Sequence, residues 1–219
     1  SKETIIDGWL HSGDAGYFTP DGHLVIIDRI KDLMLLRNGA RFSPMFIENK
    51  LKFCPYIVET VVLGHEQDYV TTMICIDYTH VGKWAEDQRI SYTTYSDLAS
   101  NAEVYDLIER EVVRVNRTLP DKARIQKFLL LYKELDADDE ELTRTKKIRR
   151  AFINEKYSKE IAALYGDVEE IPIEAVIRYQ DGKTATLRTN LRIRVMNLHE
   201  TEKAELEKQG FWRRLGRRS

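Results

Sequence analysis

Gly8-Trp-Leu-His-Ser-Gly-Asp-Ala-Gly-Tyr-Phe-Thr-Pro-Asp-Gly-His-Leu-Val-Ile-Ile-Asp-Arg-Ile-Lys-Asp32 alternates short apolar runs with turn chemistry. Thr19 to Gly22 (TPDG) is a turn: proline presets φ and glycine accepts the left-handed backbone that closes it. His23 to Asp28 is a compact β run, and Lys31-Asp32 ends it with two charges. The segment reads as short strands joined by a turn. Downstream, residues 44–53 open on Pro44 and carry Phe46, Ile47, Leu51 and Phe53, a short amphipathic helix. Strands are expected at 57–63 and 70–76. From about 101 to 119, Val104, Ile108, Val112, Val115 and Leu119 share one helix face, and Pro120 stops it. Residues 128–132 read as a buried strand. A last helix is expected over about 147–165, with Ile153, Tyr157, Ile161 and Leu164 on one face. Segments 175–179 and 184–188 flank Asp181-Gly182, a hairpin turn signal. Residues 198–219 read as a charged helix or loose tail ending in Arg213, Arg214, Arg217 and Arg218. The fold class is α+β, a small sheet covered by helices.

The chain has 219 residues, 42% of them hydrophobic, enough for one ordinary domain with extensions. Its net charge of −2 argues against a nucleic-acid binder, which would carry a basic stripe. Cys54 and Cys75 lack CxxC spacing and histidine partners, so they read as reduced core thiols rather than zinc ligands. The five histidines show no metal spacing either. No run is long enough to cross a membrane and the N-terminus is not a signal peptide, so a cytoplasmic location is expected.

A second informative stretch is Leu142-Thr-Arg-Thr-Lys-Lys-Ile-Arg-Arg150. An acidic, turn-forming run, Asp136-Ala-Asp-Asp-Glu-Glu141, precedes it. A lysine presented on such an edge suits a carboxylate or phosphate substrate, because both develop negative charge as they react. Taken alone, a basic run of this kind is more often solvated surface.

Four ordered segments, GWLHSGDAGYF, DGHLVIIDRIKD, GARFSPMFIE (Gly39 to Glu48) and ELTRTKKIRR, together resemble the C-terminal motifs of the adenylate-forming superfamily. Its members include acyl-CoA synthetases, luciferases and peptide-synthetase adenylation domains. The resemblance covers roughly residues 7 to 165 and is nearest to long-chain fatty-acid CoA ligases. It implies the small mobile C-terminal domain of that superfamily over 31–166, with a hinge at Lys31. Residues 1–30 would be the last strands of the large domain, and 167–219 a C-terminal hairpin and charged tail. A Ser/Thr/Gly-rich phosphate loop is absent, since the eleven glycines do not cluster. The chain is therefore expected to be the C-terminal piece of a longer enzyme, inactive alone.

The resemblance also assigns residues. Asp14, held between turn glycines, has the two acceptor oxygens a ribose diol needs. Its bland alternative is a turn cap, and the resemblance favours the ribose. Arg29 can fork onto a ribose or phosphate oxygen, and its alternative is a surface pair with Asp28. Asp28 is assigned to local structure. Lys31 stands at the family's hinge position, where a solvated side chain tolerates a large backbone change. Gly39 would line the pantetheine (CoA) tunnel after domain rotation, against the alternative of a plain turn glycine. Lys147 matches the catalytic lysine, because Ile148 and Arg150 fit the positions that follow it. The family usually has glycine before that lysine, and here Lys146 takes its place, leaving two adjacent lysines. Lys147 would bridge carboxylate and α-phosphate as acyl-adenylate forms.

The implied reaction has two steps. A fatty acid and ATP give acyl-AMP and pyrophosphate, then CoA displaces AMP. ATP, CoA and Mg²⁺ would be bound mostly by the N-terminal large domain, the expected partner within the same enzyme. No metal site and no nucleic-acid partner are expected in this chain. A weak membrane-surface contact by the Arg-rich C-terminus stays open. Two rivals also stay open: an acyl-AMP ligase serving a carrier protein, and a non-catalytic binding or regulatory module.

Overall fold

The structure is a computed structural model that describes residues 5–6, 9–178 and 184–197. The chain enters through two small antiparallel ladders. β1 (Ile5–Ile6) pairs with β2 (Trp9–Leu10), and β3 (Asp14–Phe18) with β4 (Leu24–Arg29). The Thr19 to Gly22 turn forms as its chemistry dictates. Gly22 N–H donates to Thr19 O at 2.9 Å, and Gly22 takes φ +84°. A 3₁₀ turn, Ile30–Asp32, leads to β5 (Met34–Leu35), which pairs with β6 (Arg41–Phe42). Helix α1 (Pro44–Lys52) starts where Ser43 Oγ accepts the Phe46 N–H and Pro44 fills the first helical position.

β7 (Ile57–Leu63) and β8 (Val70–Ile76) form an antiparallel pair. The chain then crosses over through α2 (Tyr78–Asp87), α3 (Tyr95–Ser100) and α4 (Ala102–Asn116). It returns as β9 (Ile125–Leu130), parallel to β8. After a long loop come α5 (Arg150–Lys156) and α6 (Ser158–Tyr165). A hairpin, β10 (Glu170–Arg178) with β11 (Thr184–Arg192), precedes β12 (Arg194–Val195). The main sheet has the order β12-β9-β8-β7.

That sheet is covered on both faces, which is why β7 and β8 are almost continuously buried rather than alternating. Val62, Ile74, Phe128 and Leu130 point to one core with Ile47 and Leu51 of α1 and Val104, Ile108 and Val112 of α4. Val61, Met73, Cys75 and Leu129 point to a second core with Ile153, Tyr157, Leu164 and Leu191. Both cysteines are buried and free. Burial pushes the Cys54 thiol up to about 11 and the Cys75 thiol higher still.

Several expectations need correcting. The sequence reading contains no α2 or α3. Each buries only three residues, Val81, Gly82 and Ala85 in α2 and Ser96, Leu98 and Ala99 in α3, too few to show a long apolar stripe. The expected helix over 147–165 is two helices that start at Arg150 and break at Tyr157, where φ is −102° and ψ 26°. α4 ends at Asn116, before Pro120, because the Asn116 side chain bonds both the N–H and C=O of Ile125. The strand expected at 128–132 starts earlier and ends at Leu130. Phe53 is the C-cap of α1 rather than part of its inner face, and is 86% exposed. The hairpin strands run longer than expected. Asp181-Gly182 and the tail with its four arginines lie outside the described residues.

Candidate functional site

Asp14 and Arg29 are cross-strand partners in the β3–β4 ladder. Arg29 Nε reaches Asp14 Oδ1 at 3.0 Å, and Arg29 Nη1 donates to Ser12 O at 3.0 Å. Both side chains remain accessible, at 57% for Arg29 and 28% for Asp14. An ion pair this exposed is weak, so incoming hydroxyl or phosphate oxygens compete with it at little cost. Asp28 takes no side-chain pairing with Arg29. It is buried, accepts the Arg29 N–H at 2.8 Å and receives the Ser43 hydroxyl. It thereby ties β4 to the N-terminus of α1.

Lys31 is the exposed middle residue of the 3₁₀ turn between β4 and β5. Gly39 closes the β5–β6 turn at φ +83°, with its N–H on Leu36 O at 2.9 Å. A side chain there would meet nothing within 4 Å, so the backbone angle, rather than any close neighbour in this arrangement, demands glycine.

Lys147 sits on a miniature hairpin. Leu142 and Ile148 form an antiparallel bridge, and Thr143 N–H donates to Lys147 O at 2.8 Å. Thr143 Oγ1 accepts the Lys147 N–H at 3.0 Å. The loop between them closes through Lys146, a non-glycine residue at φ +57°. This left-handed position explains why glycine suits the place before the lysine. Arg144, Lys146 and Lys147 are exposed, and among the described residues Lys147 Nζ has neither ion pair nor hydrogen bond.

Both ends of this hairpin are fixed by buried carboxylates. Glu141 is fully buried and receives Lys133 Nζ at 2.8 Å, Lys156 Nζ at 2.8 Å, Tyr157 Oη at 2.7 Å and Asp136 N–H at 2.9 Å. Burial raises its pKa, but these donors outweigh burial and hold it below the ordinary value. At the other end Arg150 Nη2 spans Glu48 Oε1 and Oε2 at 2.7 and 2.8 Å. Burial holds Glu48 above its ordinary value despite Arg150.

Sequence reasoning missed these partners, although a signal existed. Arg150 lies at helical spacing from Ile153 and Tyr157, and Glu48 stands beside Ile47 and three residues before Leu51. A charge on a buried stripe implies a buried counter-charge. Asp14 and Arg29 come together, whereas no hydrogen bond or ion pair among the described residues joins them to the Lys147 hairpin or to Gly39. The described residues contain no group of three or more His, Cys, Asp or Glu able to hold a metal. None of their helices is long and apolar enough to cross a membrane.

Residues 31–169 match the protein family described as the AMP-binding enzyme C-terminal domain. The chain belongs to that family. A long-chain-fatty-acid–CoA ligase of Mycobacterium tuberculosis is 29% identical over 166 residues, covering 75% of this chain and 28% of the relative. One from Gallus gallus is 33% identical over 186 residues, covering 76% and 24%. The chain thus spans about a quarter of the length of the curated relatives it matches. The adenylation domain of a carboxylate reductase from Mycobacterium chelonae superposes with a TM-score of 0.55 at 18% identity, over 76% of this chain and 24% of that one. At that identity the likeness shows a shared fold. The AMP-binding C-terminal domain is therefore an α+β unit that shares its fold with part of that adenylation domain.

Proposed function

We propose that this chain supplies the C-terminal part of a fatty-acid–CoA ligase, with Lys147 as its catalytic residue. Residues 1–30 end the large domain, 31–166 form the small mobile domain, and 167–219 extend it. The names of the relatives favour CoA over a carrier protein as acyl acceptor. In the first half-reaction a carboxylate oxygen attacks the α-phosphorus of ATP, and the bond to the bridging oxygen breaks, releasing pyrophosphate. The Lys147 ammonium offsets the negative charge shared by carboxylate and α-phosphate. In the second, the CoA sulfur attacks the acyl carbon, the bond to the adenylate oxygen breaks, and AMP leaves with that electron pair. Asp14 and Arg29 hold the ribose side of the nucleotide. Rotation at Lys31 withdraws Lys147 after the first step and presents the Gly39 turn for the second. The Mg²⁺ that accompanies ATP has no ligand cluster among the described residues.

The observation that carries this reading is the exposed Lys147, unpaired among the described residues, on a hairpin with both ends anchored. Lys147→Ala in the ligase should slow adenylate formation about 10²–10³-fold. Thioester formation from supplied acyl-AMP should stay close to wild type. Equal loss in both half-reactions would sink the assignment, and loss only with Lys146→Ala would move the role by one residue.

A further inference from the structure

Among the described residues no hydrogen bond or ion pair holds the Lys147 side chain, so its position comes largely through the backbone from residues that are held. Toward the C-terminus, Arg150, three residues on, is the one whose side chain reaches the main sheet. Its guanidinium does more than pair with Glu48. Arg150 Nη1 donates to Val62 O at 3.1 Å, and Val62 N–H donates to Glu48 Oε1 at 2.9 Å. Val62 lies on β7, the outer strand of the main sheet. The ion pair therefore takes the place that a neighbouring strand would fill, satisfying both backbone groups of one edge residue. Glu48 is only 4% exposed, and with Nη2 on its carboxylate and Nη1 on Val62 O the orientation of the guanidinium is fixed as well as its distance. Toward the hairpin, Arg149 N–H donates to Glu141 O at 3.0 Å, and Ile148 bridges Leu142. A chain of fixed contacts thus runs from the sheet edge through Arg150 to Lys147.

We infer that Arg150, seated by Glu48 on the edge of β7, is a positioning residue that aims Lys147 during adenylate formation. This rests on the assignment of Lys147 above. Nothing requires Arg150 to touch substrate: its guanidinium is consumed by Glu48 and Val62.

The test is a double-mutant cycle in the ligase, read as the rate of adenylate formation, with thermal unfolding of each variant followed alongside. Arg150→Met should slow adenylation by about 10-fold or more, since displacing a catalytic group by about 1 Å commonly costs up to about 10²-fold. In a Lys147→Ala background the same substitution should slow it less than about 2-fold, because residues acting as one unit are non-additive. Arg150→Lys, which keeps the charge but loses the fork, should recover only part of the rate. Should Arg150→Met fail to fold, Glu48→Gln keeps the shape and the Val62 contact and takes its place in the cycle. Full additivity of the two substitutions, or a wild-type rate in a folded Arg150→Met or Glu48→Gln enzyme, overturns the inference while leaving Lys147 in place. An unchanged rate in Lys147→Ala alone overturns both.

Discussion

Lys146 pays for its place in the lysine hairpin with a left-handed backbone at φ +57°. An L residue there costs about 1–2 kcal/mol, part of which glycine returns as greater freedom of the unfolded chain. Lys146→Gly should therefore stabilise the protein by about 0.5–1 kcal/mol, seen as a higher urea midpoint with unchanged slope. Adenylation should survive, because Lys147 keeps its backbone bonds to Thr143. A lower midpoint would mean that the lysine side chain makes a contact worth more than the strain. Asp14 yields a different expectation. Its pair with Arg29 is too exposed to hold the fold, so Asp14→Ala should leave the melting temperature nearly unchanged. Affinity for ATP and acyl-AMP should fall by about 1–3 kcal/mol as ribose hydroxyls lose their acceptor. Unchanged affinity with a lower melting temperature would make Asp14 a turn cap.

Among the elements, α1 ties together segments that lie far apart in the chain. Its N-terminus receives β4 through Ser43 and Asp28, its middle binds Arg150 through Glu48, and its inner face packs Ile47 and Leu51 on the sheet. Ser43 does two jobs with one hydroxyl: it caps the helix through the Phe46 N–H and donates to the buried Asp28. Ser43→Ala removes the cap and leaves a buried carboxylate short of a donor. The expected loss is about 1–3 kcal/mol by thermal or urea unfolding. A loss of only a few tenths would show that water replaces the hydroxyl at both partners.

For the molecule as a whole, the network around Glu141 contributes a pH-dependent part of the stability. The Lys133 hydrogen bond holds Asp139 below its ordinary 3.8. At Glu141 burial acts the other way, but bonds from Lys133, Lys156, Tyr157 and the Asp136 amide bring it below 4.5. A depressed folded pKa gives stability that is complete above the unfolded value and is lost as pH falls through the folded one. The contribution of these two carboxylates should thus be lost as pH falls below about 4. Glu141→Gln should cost about 1–3 kcal/mol at neutral pH and flatten that acid limb, as read from urea midpoints across pH. An unchanged limb would remove Glu141 as its cause. The proposed domain rotation is also a whole-molecule property. Lys31 lies between Asp28 and Ser43, so turning the chain there breaks the bond between them. Proline's φ near −65° suits a 3₁₀ turn, so Lys31→Pro should trap the arrangement described here. One half-reaction should persist and the other fall sharply. Wild-type rates in both would place the hinge elsewhere.

The sequence by itself determined the elements whose signals are local. Turn chemistry at 19–22 and the apolar runs at 57–63 and 70–76 match the observed β3–β4 hairpin, β7 and β8, and Pro44 marks the start of α1. The ordered motifs were enough to point to the family. What needed tertiary structure was partnership. Glu48 and Arg150 are 102 residues apart, and only packing α1 and α5 against the edge of β7 makes them one ion pair. Glu141 reads as the end of an acidic, turn-forming run, yet the fold buries it among two lysines and a tyrosine. The break at Tyr157 arises the same way. Its apolar spacing fits one continuous helix, but the chain turns where its hydroxyl meets Glu141. Local preference and periodicity act over a few residues and can be read along the chain. The pairing of buried charges acts across it, because a carboxylate withdrawn from water must find its donors wherever the fold brings them.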